Sequence, residues 1–166
     1  MKKTFASALM FLLLAAPAFA QDGEAGATVT DDTFNVTAPV PADWTVNEDN
    51  DRAVFNFVND ASHSQIEVIG TELVTAEVAD VFFDTFHETL VSSEFLQLGR
   101  EDKSVGDYSG TETIYGFSHS GVTLKVAVFQ FVRDTTAWIA VGYMQEDLFD
   151  EQSATYRELI GQLSFE

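Results

Sequence analysis

Apolar and polar residues alternate with period two in Thr33-Phe34-Asn35-Val36-Thr37-Ala38, which predicts a strand ending at Pro39-Val40-Pro41. The next residues, Pro41-Ala42-Asp43-Trp44, read as a tight turn that sets a tryptophan against the core. An acidic loop, Asn47-Glu48-Asp49-Asn50-Asp51, leads to a second strand over residues 53–58, with Phe55 and Phe57 on one face. The turn Asn59-Asp60-Ala61-Ser62 leads to a third over residues 65–69. Three short strands separated by turn residues predict an opening meander.

The period then changes. Between residues 75 and 92, Ala79, Phe82, Phe83, Phe86 and Leu90 recur every three or four positions and share one helical face. Glu77, Asp80, Asp84, His87 and Glu88 fall on the opposite side, expected to face solvent. Thr75 and the acidic first turns suit a helix start, where negative charge complements the macrodipole.

After an extended segment at residues 95–99, three runs occupy 110–119, 122–133 and 136–144. The pairs Ser120-Gly121 and Arg133-Asp134 are short enough to close hairpins. The middle run, VTLKVAVFQFV, is apolar on both faces, as a strand covered on both sides should be. Residues 148–163 carry Phe149, Tyr156, Ile160 and Leu163 at helical spacing before the closing Ser164-Phe165. The fold class expected is α+β: an antiparallel β-sheet covered by helices on both faces, an α/β/α sandwich.

The amino terminus alters where this domain is expected to work. Met1-Lys2-Lys3, an apolar run over residues 5–16, then Pro17 and Ala18-Phe19-Ala20 form the pattern of a secretory signal cleaved after Ala20. The run is short for a membrane span, so the expected product is periplasmic or secreted, with no membrane anchor after signal cleavage. Residues 21–32, QDGEAGATVTDD, lack periodicity and read as a flexible acidic leader. Residues 33–166 make the single α+β domain.

Charge and composition narrow the function further. The 166 residues include 27 acidic and 8 basic ones, a formal net charge of −19. Lys2 and Lys3 leave with the signal, so 6 basic residues face 27 acidic ones, a net of −21. So few cations exclude sequence-independent nucleic-acid binding, which needs a Lys/Arg surface. The acids are scattered over leader, loops and helix faces, which favours surface solvation over a single cation-binding block. With no cysteine there is no disulfide, thiolate nucleophile, Cys-based metal site or lipid-attachment residue.

This order of elements resembles the Mog1/PsbP-like fold, a group that also includes periplasmic DcrB-type proteins. The resemblance rests on the opening strand with Pro41-Ala42-Asp43-Trp44, the early hairpin, the Phe-rich helix, the antiparallel meander and a last helix ending in Leu163-Ser164-Phe165. It implies a non-catalytic accessory or binding domain that docks on a larger assembly, with no shared active site or metal motif to transfer. The acidity and the missing lipid-attachment cysteine depart from a DcrB-like anchored protein.

Candidate chemistry is sparse. Gly116-Phe117-Ser118-His119-Ser120-Gly121 misses the nucleophile elbow, because Ser120 stands at the second glycine position and the segment belongs to a hairpin. Lys103 and Lys125 are the lysines left after cleavage, and Lys125 lies in a strand where its stem can snorkel. Of the histidines His63, His87 and His119, His87 alone joins acids at helical spacing. Asp80, Asp84 and His87 at i, i+4 and i+7 are the weak metal candidates. The loop 47–51 fails the EF-hand pattern: counted from Asp49, Ala53 stands at a ligand position and Val54 where glycine is needed. Asn35-Val36-Thr37 matches a glycosylation acceptor by chance, inside a strand. Phosphate-cradling glycine loops are absent.

The functional expectation is therefore a secreted or periplasmic non-catalytic domain that docks on a protein partner in the cell envelope, without cofactor. The alternative is a carboxylate/His-based hydrolase or divalent-metal-binding protein using His87 or His119.

Overall fold

A computed structural model describes residues 26–119 and 121–166, the side chain of His119 excepted. The signal pattern, its cleavage point and the leader up to residue 25 lie outside the described residues. The remainder of the leader is not without structure: Thr28–Asp31 forms strand β1. It pairs antiparallel with β2, Val36–Pro39, in register Val29 with Ala38 and Thr30 with Thr37. The expected first strand starts late because residues 32–35 make a turn. There the Asp31 carboxylate accepts the Phe34 N–H at 2.8 Å and Asn35 adopts φ +48°.

The opening meander is also corrected. β2 leaves the main sheet and joins β1 and the two-residue β10, Ser164–Phe165, in a small three-stranded sheet. The Pro39-Val40-Pro41 break separates β2 from the next strand, since proline cannot supply a ladder N–H. The turn behaves as expected: the Trp44 N–H reaches the Pro41 carbonyl at 3.1 Å, Asp43 takes φ +65°, and Trp44 is buried.

The main sheet holds β3 (Thr45–Val46), β4 (Phe55–Asn59), β5 (Ser64–Glu72), β6 (Leu96–Val105), β7 (Tyr108–His119), β8 (Val122–Arg133) and β9 (Thr136–Gln145). Their order is β3-β4-β5-β9-β8-β7-β6, antiparallel throughout. The three runs of the second half appear as β7, β8 and β9. The extended segment at 95–99 grows into a ten-residue edge strand, β6, with a bulge between Gln97 and Gly99. A bulge and the run Arg100-Glu101-Asp102-Lys103 keep such an edge from pairing with other chains.

Two helices cover opposite faces. Helix α1, Ala79–Ser92, follows a 3-10 turn at Ala76–Val78, and Thr75 makes no side-chain cap. Helix α2, Phe149–Gly161, follows a similar turn at Glu146–Leu148. Alternate residues of β8 and β9 sort between two cores. Ala127, Phe129, Phe131, Trp138 and Ala140 pack with Tyr156, Leu159 and Ile160 of α2 and with Val36 and Ala38 of the small sheet. Val126, Val128, Ile139 and Val141 pack with Phe82, Phe83, Phe86 and Leu90 of α1. One cover is thus a helix plus a small sheet, the other a helix alone.

The α2 face is tied down in two ways. Gly106, at φ +58° in the β6–β7 turn, lies so close to Gly161 that a Cβ would stand 2.6 Å from its Cα. Across the sheet, Glu112 on β7 is buried and takes two hydrogen bonds from Arg157 of α2, at 2.9 and 3.1 Å, and one from Lys103 of β6 at 2.8 Å.

Candidate functional site

Helix α1 connects the third strand of the sheet to its far edge, so it must cross β9, β8 and β7. A crossing helix shows its flanks, and not only its outer surface, to the strands beside it. Asp80, Asp84 and His87 occupy such a flank, and the structure separates them. Asp80 and Asp84 line a cleft of about 570 Å³ between α1 and strands β6–β8. His87 instead meets β7, where its Nδ1 lies 2.6 Å from the Tyr115 hydroxyl and the two rings are 5.8 Å apart. It is thus half-buried against the sheet and not fully on the solvent face, where the helical spacing places it. The outward assignment counted hydrophobic residues around the helix, whereas a tyrosine on the neighbouring strand offers an imidazole a partner that no wheel contains.

The Tyr115 phenol is held above its ordinary pKa, mainly because burial disfavours the phenolate and only in part offset by the positive charge of Arg100. It stays protonated at neutral pH and can donate to an unprotonated Nδ1 or accept from a protonated one.

The cleft is shaped by the strand backbone as much as by side chains. Gly110 lies against β8 so closely that a Cβ would stand 2.1 Å from the Gln130 carbonyl oxygen, so any other residue would push the strands apart. Phe83 and Val132 supply apolar lining, and Ser109, Thr111, Gln130 and Arg100 supply polar groups. No histidine lines it. Among the described residues, no three His, Asp or Glu side chains come together to hold a metal ion.

A second polar cluster occupies the α1 side of the sheet beyond the helix. The Glu67 Oε1 accepts from Asn50 Nδ2 at 2.8 Å and from Gln65 Nε2 at 3.0 Å, and Gln65 also donates to Asn56 Oδ1 at 3.0 Å. The acidic loop 47–51 is thereby used for structure. Asn47 and Asn50 accept from the backbone N–H groups of Asp49 and Arg52, and the Asn50 amide caps a buried carboxylate. Burial raises the Glu67 pKa, with the Asn50 hydrogen bond and the charge of Arg52 opposing it. A native state that holds its proton more tightly than the unfolded chain is penalised above the raised pKa and relieved below it. Glu67→Gln should then raise stability at pH 7 by up to about 1 kcal/mol, the scale of one hydrogen bond, and the gain should vanish near pH 4. Urea melts at the two pH values would show this, and destabilisation at pH 7 would mean the carboxylate is favourably paired.

Large apolar side chains are exposed in several places, Val91, Leu96, Leu98 and Val122 among them, and three more fall close together in sequence. Val74, Val78 and Val81, at the entrance to α1, are 94%, 42% and 68% exposed, with exposed Glu72, Glu77 and Asp80 around them. The helical periodicity assigned none of these valines to the core, and that was the available signal. No helix among the described residues is long and apolar enough to cross a membrane.

No family model matches the sequence, and no curated protein matches it either. Solved structures do. Cyanobacterial PsbP (CyanoP) from Synechocystis sp. PCC 6803 superposes with a TM-score of 0.59 at 12% identity, over 90% of this chain and 98% of that one. The Saccharomyces cerevisiae Ran-binding protein Mog1p gives 0.53 at 12% identity, over 84% and 94%. LpqN of Mycobacterium tuberculosis, involved in cell envelope biogenesis, gives 0.51 at 15% identity, over 86% of each. A Bacteroides thetaiotaomicron protein gives 0.59 at 13% identity, and there the match spans 86% of this chain but about half, 49%, of the other. At such identities the likeness is one of fold, and the fold is Mog1/PsbP-like, as the order of elements implied.

Proposed function

We propose that this chain is a secreted or periplasmic, non-catalytic accessory domain that docks on a protein partner in the cell envelope. The observation that carries this reading is the exposed valine stripe at the start of α1. Exposed apolar side chains gathered in one place on an otherwise highly charged surface mark interaction sites more often than chance solvent exposure. The surrounding carboxylates suit a partner that presents an apolar anchor framed by Lys or Arg. Such a partner would be steered in by charge and held by burial. Two proteins of the same fold support docking and the envelope in turn: Mog1p is a Ran-binding protein and LpqN is involved in cell envelope biogenesis. Secretion rests on the pattern of residues 1–20.

The test is affinity capture from envelope extract at low and high salt, comparing the wild type with a Val74→Ser, Val78→Ser, Val81→Ser variant. A single partner recovered by the wild type, weakened by salt and lost with the valines, is the expected result. Recovery of no partner at either salt, or equal recovery by the variant, overturns the reading.

A further inference from the structure

The cleft beside α1, at about 570 Å³, lies within the size range of small-molecule sites. Its walls carry opposite charges: Asp80 and Asp84 on the helix, Arg100 on β6. None of these three forms an ion pair with another described residue. The scaffold holds an anionic wall and a cationic wall apart over a shared space.

Gln130 lines the same cleft and is only 6% exposed. Its Nε2 reaches the Phe83 carbonyl at 3.5 Å, the outer limit of a hydrogen bond, and its Oε1 has no partner among the described residues. That amide oxygen is not sealed from solvent, so it stands in the cleft as an acceptor that a ligand N–H can use.

We infer that this cleft binds a small zwitterion of the α-amino-acid class with an apolar side chain. An ammonium group has three N–H donors and no acceptor, and the site offers three acceptors: the Asp80 and Asp84 carboxylates and Gln130 Oε1. The ligand carboxylate takes the fork of the Arg100 guanidinium. Phe83 and Val132 receive the side chain. Two carboxylates alone would attract any cation; Arg100 on the facing wall selects a molecule carrying both charges. This binding activity shares Asp80 with the surround of the valine stripe but does not use the valines, so either reading can fail without the other.

The experiment is a titration of the isotopically labelled protein with L-leucine, 3-methylbutylamine and 4-methylpentanoate, monitored by amide NMR shifts. Leucine should move the amides of Arg100, Thr111 and Gln130 saturably, and each single-charge analogue should bind at least about tenfold more weakly. Asp80→Asn and Arg100→Gln should each weaken leucine binding by about tenfold or more. Both side chains are exposed, so the rest of the spectrum should remain that of the folded protein. The inference is overturned by the absence of saturable shifts up to about 10 mM leucine, a concentration that would still detect millimolar binding. It is equally overturned if the two variants bind as the wild type does. The amine binding as tightly as leucine would also overturn it, and would make the cleft a seat for a partner's lysine side chain.

Discussion

Replacing Glu112 by alanine should lower the stability of the fold by about 3 kcal/mol at pH 7, the low end of the cost of leaving a buried ion pair without one partner. Glu112 is 2% exposed and anchors Arg157 and Lys103, whose side chains are 32% and 29% exposed and can recover some hydration. That partial exposure keeps the loss from the upper end. Burial alone would raise the Glu112 pKa, but hydrogen bonds from Arg157 and Lys103 and their charges outweigh it and hold the carboxyl below its usual range. The native state therefore takes up this proton less readily than the unfolded chain does. The contribution is full above the unfolded value of about 4.3 and is lost as pH falls through the lower native value. Denaturant melts of wild type and Glu112→Ala between pH 7 and pH 3 should show a gap that narrows with acid. A gap below about 1 kcal/mol at pH 7, the level of a surface pair, would mean that the cluster does not hold α2 on the sheet. Arg157→Ala should cost less, because Lys103 remains to pair with Glu112.

Trp44→Ala should cost about 3 to 5 kcal/mol, the range for removing a large buried aromatic. The side chain is 2% exposed and packs in the core formed by Phe55, Phe57, Ile66 and the α2 residues. It reaches that core because Asp43 adopts a left-handed conformation and turns the chain inward. Chemical denaturation monitored by tryptophan fluorescence measures the loss directly, with Trp138 left as reporter. If the loss stays below about 1 kcal/mol, the level of a surface substitution, the ring is not part of the core and would become a candidate contact for a partner.

Most of the strand and helix pattern could be read from the chain itself. The stretch from β7 to β9 needs only its own alternation and two short turns, since each strand pairs with its neighbour in sequence. α1 and α2 announce themselves through apolar residues at three- and four-residue spacing, and their cores match those positions. β1 and β10 gave no comparable signal. β10 is two residues long and pairs with β2 at the opposite end of the domain, so its existence depends on chain ends meeting. β6 had charged residues where a buried strand would have apolar ones, because it is an edge with most of its side chains in water. Glu112 carried a faint mark: it shares parity on β7 with inward-facing Ile114, yet Arg157 lies 45 residues away.

The candidate site divides in the same way. Residue type and helical spacing were enough to put Asp80, Asp84 and His87 on one flank of α1, and periodicity was enough to establish an antiparallel sheet with helices on both sides. Those are local properties, set by backbone geometry and the burial of apolar side chains within one element. Tertiary packing decided which way that flank looks. It placed Tyr115 opposite His87 and Arg100 opposite the two aspartates, and it buried Gln130 between them. A cleft is made of surfaces from separate segments, and its charges acquire partners or lack them only when the sheet brings α1, β6, β7 and β8 together.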